Sequence, residues 1–294
     1  MTDINSKIEP ENSCHPLSSL QIPTRIHFIS GLPRSGSTLL SAILRQNPHL
    51  HATMSTPVFG LVHGLLEGMS RNELSSLLSL SQKRDIILGV FAAYYQTQII
   101  NQHTIFDTSR LWCAHLPLLH QLFPQAKVIC CVRNVAWVMD SIERLVRKNA
   151  LGVSGLFADF NESATVYSRT QKLGQDRYMV GLPYNALREA CYGEHGGKLL
   201  LVDYEYLTRY PAATIQKLYQ FLEQPLFEHD FDRVEYDEPE FDTRLGLPGL
   251  HKVRKKVEFL NRSTILPPDL FAKYDALSFW KTLKNPGIQV LSDV

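Results

Sequence analysis

This sequence has little of several features that would point to a particular class of protein. Its 30 basic and 29 acidic residues leave a net charge of +1, so no global basic field favours nucleic-acid binding. The five cysteines are odd in number and include no Cys-x-x-Cys pair, which argues against a disulfide framework. No apolar run approaches the roughly 20 residues of a membrane-spanning helix, and the polar N-terminus lacks a signal-peptide core. We therefore expect a cytoplasmic protein with no nucleic-acid partner and no membrane span.

What the sequence does contain is typical of a globular protein. Hydrophobic residues make up 44% of the 294, which is enough apolar surface for a core. Residues 1–22 are polar, carry prolines and show no periodicity, so we interpret them as a mobile lead-in. Residues 23–294 show no repeat or convincing boundary and are predicted to form a single domain.

Four short apolar runs alternate with helical patterns along this region. The runs begin at Ile26, Thr104, Lys127 and Lys198. Such alternation predicts an α/β fold, with a parallel sheet flanked by helices on both faces. In sheets of this kind, ligands bind at the carboxyl ends of the strands. Residues 51–57 are predicted to be a loop.

The stretch after the first run has the outline of a phosphate-binding loop. Gly31 and Gly36 frame four residues, but Ser37 stands where G-x-x-x-x-G-K-[ST] has its lysine. Loop amides and a helix N-terminus form a cradle for an anion, and Arg34 is the only fixed positive charge within it. Three hydroxyls can donate further hydrogen bonds, those of Ser35, Ser37 and Thr38. The alternative is an ordinary Gly/Ser turn between a strand and a helix.

A second candidate anion site follows the third run. Arg133 comes directly after the strand, and Ser141 lies eight residues later, about two turns into the next helix. The alternative is an ordinary strand-end arginine and a helical serine. Two anion sites at neighbouring strand ends indicate a ligand with phosphates at two places. Residues 107–110 and Asp203-Tyr204 follow the other two strands and should face the same crevice.

These motifs resemble those of the sulfotransferases that use 3′-phosphoadenosine 5′-phosphosulfate (PAPS), and most of all the bacterial branch related to tyrosylprotein sulfotransferases. That family binds the 5′-phosphosulfate with a P-[RK]-S-G-[TS]-T loop, which here is Pro33–Thr38. Its 3′-phosphate motif corresponds to Arg133 and Ser141. A Tyr-Glu-Asp-Leu-like segment near the adenine is partly matched by Tyr204–Leu207. The resemblance covers about residues 26–225 and implies the sulfotransferase fold with its P-loop-like parallel sheet.

The resemblance implies transfer of a sulfuryl group from PAPS to a hydroxyl or an amine, without a metal. Arg34 and the loop would stabilise charge on the leaving phosphate, and Arg110 would contact the sulfuryl oxygens. Asp107, which ends a predicted strand beside the loop, is the candidate general base. Its alternative role is to cap the following helix.

Three positions bear on the acceptor, which is a small hydroxyl compound, a peptide tyrosine or an amine. Tyrosylprotein sulfotransferases have a catalytic glutamate where this sequence has Ser55, and a lysine where it has Thr108. His115 resembles the histidine base of cytosolic sulfotransferases, but a structural role within a helix is favoured. Two other functions stay open, a P-loop kinase that uses ATP and a nucleotide-binding module without catalysis.

The C-terminal third contains an acidic and a basic segment in succession. Residues 228–242 are rich in Asp and Glu, and residues 251–256 are basic. One interpretation is a pair of oppositely charged surface segments. The other is a lid that orders over the donor, with Lys252 or Arg254 reaching a phosphate.

Overall fold

Six parallel strands form one sheet, in the order β2-β3-β1-β4-β5-β6. The structure is a computed structural model that describes residues 21–71, 73–148, 155–237, 239–244 and 249–292. Almost all of the predicted lead-in lies outside the described residues. The strands are β1 (Ile26–Gly31), β2 (Leu50–Ala52), β3 (Thr104–Thr108), β4 (Val128–Val132), β5 (Leu199–Asp203) and β6 (Gln289–Leu291).

Helices connect the strands and cover both faces of the sheet. The α-helices are α1 (Ser37–Leu44), α2 (Val58–Arg71), α3 (Leu80–Tyr94), α4 (Gln96–Ile100), α5 (Leu116–Leu122), α6 (Val135–Lys148), α7 (Phe160–Ser163), α8 (Val166–Leu173), α9 (Gly181–Tyr192), α10 (Tyr204–Arg209), α11 (Pro211–Leu222), α12 (Pro239–Arg244) and α13 (Pro268–Asp275). Short 3₁₀ helices lie at Glu73–Leu77, Trp112–His115, Gly196–Lys198 and Phe279–Thr282. The predicted α/β fold with a helix-flanked parallel sheet is confirmed.

The core consists of two apolar clusters, one on each face of the sheet. Successive residues of β4 alternate between them, so that Cys130 packs into one cluster and Cys131 into the other. Every residue of β1, β4 and β5 is buried. This double burial is why these strands are continuous apolar runs in the sequence.

Two strands, β2 and β6, were not predicted. Each has three residues and lies at an edge of the sheet, where β6 is only partly buried. Residues 51 and 52, predicted as loop, belong to β2. An edge strand this short needs no apolar run, because it buries little surface and has a single neighbour to pair with.

Strand β3 extends two residues beyond the predicted run, and this changes the place of Asp107. Asp107 therefore lies within the strand and not after its end. Side chains alternate between the faces of a strand, so Asp107 points to the same face as Ile105. Its carboxylate is fully buried and accepts hydrogen bonds from Trp112 Nε1 at 2.7 Å, from the Tyr95 hydroxyl at 2.6 Å and from Thr56 Oγ1 at 2.9 Å. Asp107 therefore neither caps a helix nor faces the crevice.

Within the described residues, no helix has the length and apolarity needed to cross a membrane. The cytoplasmic location and the single domain stay predictions.

The buried carboxylate of Asp107 predicts a difference between two substitutions. Asp107→Leu leaves the Trp112, Tyr95 and Thr56 donors without their acceptor, at about 1–3 kcal/mol for each buried group left unpaired. We expect urea unfolding to show a loss of about 3 kcal/mol or more. Asp107→Asn keeps a carbonyl acceptor and should lose clearly less. Equal losses for the two variants would show that these hydrogen bonds do not stabilise the fold.

Candidate functional site

A cavity of about 520 Å³ opens at the carboxyl ends of the central strands. Seven basic side chains line it, in a chain whose net charge is only +1. They are Arg34, Arg110, Arg133, Lys252, Arg254, Lys256 and Arg262. Among the described residues of the lining, Glu258 is the one carboxylate. The cavity therefore attracts an anion of several charges.

The loop between β1 and α1 forms the floor of this cavity. Gly31 has φ +109°, and a Cβ there would lie 2.2 Å from the Cys131 carbonyl oxygen, so only glycine fits. Gly36 has φ +96° and stands at the N-cap of α1, where no side chain caps the helix. Arg34 is itself in the left-handed region, at φ +57°. The N-terminus of α1 is thus open toward the cavity, as an anion site requires.

The three loop hydroxyls differ in direction. Ser37 and Thr38 line the cavity. Ser35 is buried, and its hydroxyl donates to the carbonyl oxygens of Leu32 and Cys131. The prediction that the Ser35 hydroxyl meets the anion is therefore wrong, because this hydroxyl holds the loop against β4.

Arg34 joins the two predicted anion sites. Its Nε donates to Ser141 Oγ at 3.1 Å, although 107 positions separate the two residues. A second guanidinium nitrogen of Arg34 donates to the Leu250 carbonyl oxygen. Burial, with a further contribution from Arg133, lowers the pKa of Arg34 to about 10, so it stays charged at neutral pH.

Arg133 lies beside Arg34 with much of its hydrogen-bonding capacity unused. Its guanidinium carbon stacks 4.2 Å from the centroid of the Tyr204 ring. Among the described residues its guanidinium makes one hydrogen bond, to the Arg34 carbonyl oxygen at 3.4 Å, and its Nε is buried without a partner there. The Asp203 carboxylate accepts from the Glu205 N–H at 2.8 Å and so begins α10 at Tyr204. A bound phosphate would give the buried nitrogen of Arg133 its acceptor.

The residues after β3 divide between the cavity and the core. Thr108, Ser109 and Arg110 line the cavity, while Asp107 does not. The Ser30 hydroxyl donates to the Arg110 carbonyl oxygen at 2.9 Å and fixes this turn against β1. The side chain of Arg110 has neither a hydrogen bond nor an ion pair with any described residue. The predicted role of Asp107 as the base does not fit its place in the core.

The resemblance also pointed to Ser55 and His115, and only Ser55 lies in the described lining of the cavity. Ser55 lines the cavity. No glutamate that is close to Ser55 in the sequence belongs to the described lining. His115 lies outside the lining at the end of a 3₁₀ helix, with Nε2 3.2 Å from His63 Nδ1. This placement fits a structural role for His115.

Residues 250–260, which we term the cover segment, run along the cavity. They pair with the acidic segment, since the Val253 N–H donates to the Tyr236 carbonyl at 3.0 Å and the Val257 N–H to the Phe231 carbonyl at 2.8 Å. Two exposed ion pairs join the segments, Lys255 with Glu235 at 3.3 Å and Lys256 with Asp232 at 2.9 Å. The predicted pairing of surface charges is thus present, and Lys252 and Arg254 line the cavity as well. Residues 245–248, which precede the cover segment, lie outside the described residues.

Arg262 and Asp140 were missed by sequence reasoning. Arg262 lines the cavity, and its Nη2 lies 2.7 Å from Asp140 Oδ1. Asp140 is fully buried and also accepts from Arg144 Nε at 2.9 Å and the Ile265 N–H at 2.8 Å. It thereby fixes the chain beyond the cover segment to α6, next to Ser141. The available signal was an acidic residue directly after the apolar run Val135–Met139 of α6.

The comparison with known protein families agrees with this geometry. The model described as "Sulfotransferase family" matches residues 27–229, which is more than half of the chain. The chain belongs to the sulfotransferase family. The matched region holds the loop, Arg133, Ser141 and Tyr204, and it ends before the cover segment.

Individual sulfotransferases are similar to the chain at low identity. A protein-tyrosine sulfotransferase of Drosophila melanogaster is 25% identical over 293 residues, covering 95% of this chain and 50% of that protein. The nodulation protein NoeE of Sinorhizobium fredii is 33% identical over 130 residues, covering 40% of this chain and 31% of that protein. The solved sulfotransferase domain of a Synechococcus olefin synthase has a TM-score of 0.49 at 19% identity, covering 90% of this chain and 99% of that domain. The chain spans half the length of the Drosophila protein.

The geometry of the sulfotransferase loop predicts opposite effects for one substitution at two glycines. Gly36→Ala places a Cβ 2.9 Å from Tyr204 Cδ2 at a positive φ, and a left-handed alanine costs about 1–2 kcal/mol. Gly64→Ala in α2 meets nothing within 4 Å and should stabilise the helix by about 0.5–1 kcal/mol. Chemical denaturation of both variants measures the two signs. A neutral Gly36→Ala would mean that the loop does not depend on this conformation.

Proposed function

We propose that this chain transfers a sulfuryl group from PAPS to an acceptor hydroxyl or amine. The observation that supports the proposal is the hydrogen bond from Arg34 to Ser141, because both residues line the same cavity. PAPS has a phosphosulfate and a separate 3′-phosphate, so it matches two neighbouring anion sites. A linear polyphosphate needs only one.

Each donor group has a site in this proposal. The amides at the start of α1, with Arg34, Ser37 and Thr38, bind the 5′-phosphosulfate. Arg133 and Ser141 bind the 3′-phosphate. Tyr204, stacked on Arg133, lies where the adenine would follow. Lys252 and Arg254 of the cover segment add charge from the opposite wall.

The chemistry requires positioning and charge stabilisation. The bond between sulfur and the bridging oxygen breaks, and negative charge grows on the leaving phosphate. Arg34 and the loop amides meet that charge, while Arg110 contacts the sulfuryl oxygens. The sulfuryl group carries less charge than a terminal phosphate, so these groups suffice without a metal.

The acceptor enters from the β3 side of the loop. The donor-binding residues that follow β4 and β5 lie on one side of β1, and β3 and β2 lie on the other. Met54, Leu111, Leu156 and Met179 give the lining an apolar component. An acceptor with an apolar or aromatic body fits this lining, and a peptide tyrosine belongs to that class. Relatives named protein-tyrosine sulfotransferases support the same class.

Two other functions remain as alternatives to be tested. A P-loop kinase would use ATP, but Ser37 replaces the lysine that P-loop enzymes place on the β/γ-phosphates. A nucleotide-binding module without catalysis would bind the donor and transfer nothing. Labelled PAPS offered to tyramine, a tyrosyl peptide and an alcohol, in buffer with EDTA, should give a sulfated product. A strict Mg²⁺ requirement would favour the kinase, and donor binding without any product would favour the module.

The assignment of the 3′-phosphate predicts a selective loss of binding. Arg133→Ala removes a charge-assisted hydrogen bond of about 1.5–3 kcal/mol. Binding of adenosine 3′,5′-bisphosphate should weaken about tenfold or more, since 1.4 kcal/mol is a factor of ten. Binding of adenosine 5′-phosphate should change little. Calorimetric titration of both ligands measures the difference.

The matched control is Arg84→Ala, an exposed arginine of α3 outside the cavity lining. It should bind both nucleotides as the unmodified protein does. Equal losses for both nucleotides in Arg133→Ala would assign Arg133 to the fold or to the 5′-phosphate.

The cover segment predicts protection from trypsin. Lys252, Arg254, Lys255 and Lys256 are exposed. We expect cleavage here in the free protein and protection by saturating adenosine 3′,5′-bisphosphate, because two phosphates attract the basic segment. Mass spectrometry of the fragments follows each site.

Cleavage after Arg71, whose side chain is 80% exposed at the end of α2, serves as the internal control. It should not change with the ligand. Unaltered cleavage at both places would leave the cover segment as a surface ribbon with no role as a lid.

A further inference from the structure

The proposed transfer needs a group that takes the acceptor's proton, and the residues expected to do so do not supply it. Asp107 lies in the core with its oxygens occupied by three donors. Ser55 stands where the resembling enzymes have a glutamate. Glu258, the one carboxylate among the described lining residues, is exposed on the cover segment. The group that takes the acceptor's proton must therefore be another residue of the cavity wall.

A histidine–aspartate pair lies in that wall. His251 Nδ1 is 2.5 Å from Asp242 Oδ1, and the His251 backbone N–H donates to Asp242 Oδ2 at 2.8 Å. The Asp242 side chain is fully buried, while His251 is half-buried and lines the cavity. We propose that His251 is the general base of the transfer and that Asp242 is the residue that positions it.

The hydrogen bond to Asp242 determines which nitrogen can act. A carboxylate only accepts, so Nδ1 carries the proton of the neutral imidazole. Nε2 is then the nitrogen with the lone pair, and it is the atom assigned to the acceptor's proton. The second hydrogen bond, through the backbone, sets the position of the ring relative to α12.

His251 lines the same cavity as two arginines that are assigned to the donor, Arg34 and Arg110. Arg34, from the loop after β1, and Arg110, from the turn after β3, are the cations close enough to lower its pKa. Arg34 also donates to the carbonyl of Leu250, the residue before His251. Arg34 is assigned to the leaving phosphate and Arg110 to the sulfuryl oxygens. His251 thus lines the same cavity as the groups assigned to the leaving phosphate and to the sulfuryl oxygens.

The same surroundings keep His251 neutral at the pH where a base is needed. Burial is the largest influence and lowers the pKa of His251, as do Arg34 and Arg110, while Asp242 raises it. The net direction is below the ordinary value. The imidazole is therefore unprotonated at neutral pH, and its capacity as a base is lost as the pH falls through that lowered pKa.

The step balances without a further reactant and rests on the proposed function. The acceptor oxygen forms a bond to sulfur as its proton moves to His251 Nε2. The bond from sulfur to the bridging oxygen breaks, and its electron pair leaves with adenosine 3′,5′-bisphosphate. The proton then passes from His251 to solvent.

A purely structural role is the competing explanation, since the pair also ties the cover segment to α12. The backbone hydrogen bond to Asp242 can do that without an imidazole. His251→Asn keeps a side-chain N–H for Asp242 and removes the base, so it separates the two roles. We expect transfer from labelled PAPS to the best of the three acceptors to fall by about 10²–10⁴-fold. Binding of adenosine 3′,5′-bisphosphate should be retained.

The pH profile is the second readout. In the unmodified protein kcat/KM should fall on the acid side, with a pKa below that of an ordinary histidine, and His251→Asn should lose this limb. Asp242→Asn should lower the rate less than His251→Asn and move the limb to lower pH, because it removes the charge that raises the pKa. His49→Asn, an exposed histidine outside the lining, should keep both rate and profile.

The possible outcomes distinguish failure of the His251–Asp242 inference from failure of the proposed function. If His251→Asn keeps the rate or the acid limb while the unmodified protein transfers sulfate, His251 is not the base and the proposed function stands. If it loses nucleotide binding together with the rate, the role is structural and the inference is overturned. If the unmodified protein binds the bisphosphate no better than adenosine 5′-phosphate and sulfates no acceptor, both proposals are wrong.

Discussion

The guanidinium of Arg34 is the interaction on which the site depends. The guanidinium donates to Ser141 on α6 and to the carbonyl of Leu250 in the cover segment. The backbone carbonyl of Arg34 accepts a hydrogen bond from Arg133. One side chain thus connects the phosphate loop, the second anion site and the wall that carries His251. The backbone of Arg34 is in the left-handed region, at φ +57°, and this strained conformation permits the side chain to reach its partners. Burial of the side chain maintains the conformation.

The crowding of positive charge follows from the same arrangement. Burial and the neighbouring arginine both lower the pKa of Arg34, and burial lowers that of Arg133. Two arginines this close repel each other until an anion lies between them or beside them. Arg262 also lines the cavity, and its ion pair with the buried carboxylate of Asp140 offsets part of the charge repulsion there. This crowding of positive charge fits the proposed donor, whose own charges are spread over two groups.

Much of the fold and the phosphate loop could be predicted, because both depend on neighbours in the chain. The doubly buried strands are visible as apolar runs, and Gly31 and Gly36 mark the backbone conformations that the loop requires. The errors concern the direction of single polar side chains. Two more residues in β3 turned Asp107 from the crevice into the core, and the Ser35 hydroxyl turned toward β4. Local composition does not reveal on which face of a strand a polar group lies when both faces are buried.

The sequence by itself determined the local elements: strand, loop and helix around Arg34, and an arginine with a serine eight residues later at the start of α6. Tertiary structure alone decided which of these meet. Arg34 and Leu250 are 216 positions apart, and Asp140 joins Ile265 across 125. His251 and Asp242 are nine positions apart, yet their pairing is visible only once the cover segment has folded onto the cavity. The physical reason is that the hydrogen bonds within an element follow from adjacent residues. Contacts between elements follow from the order in which the strands pair, and no single stretch of the chain encodes that order.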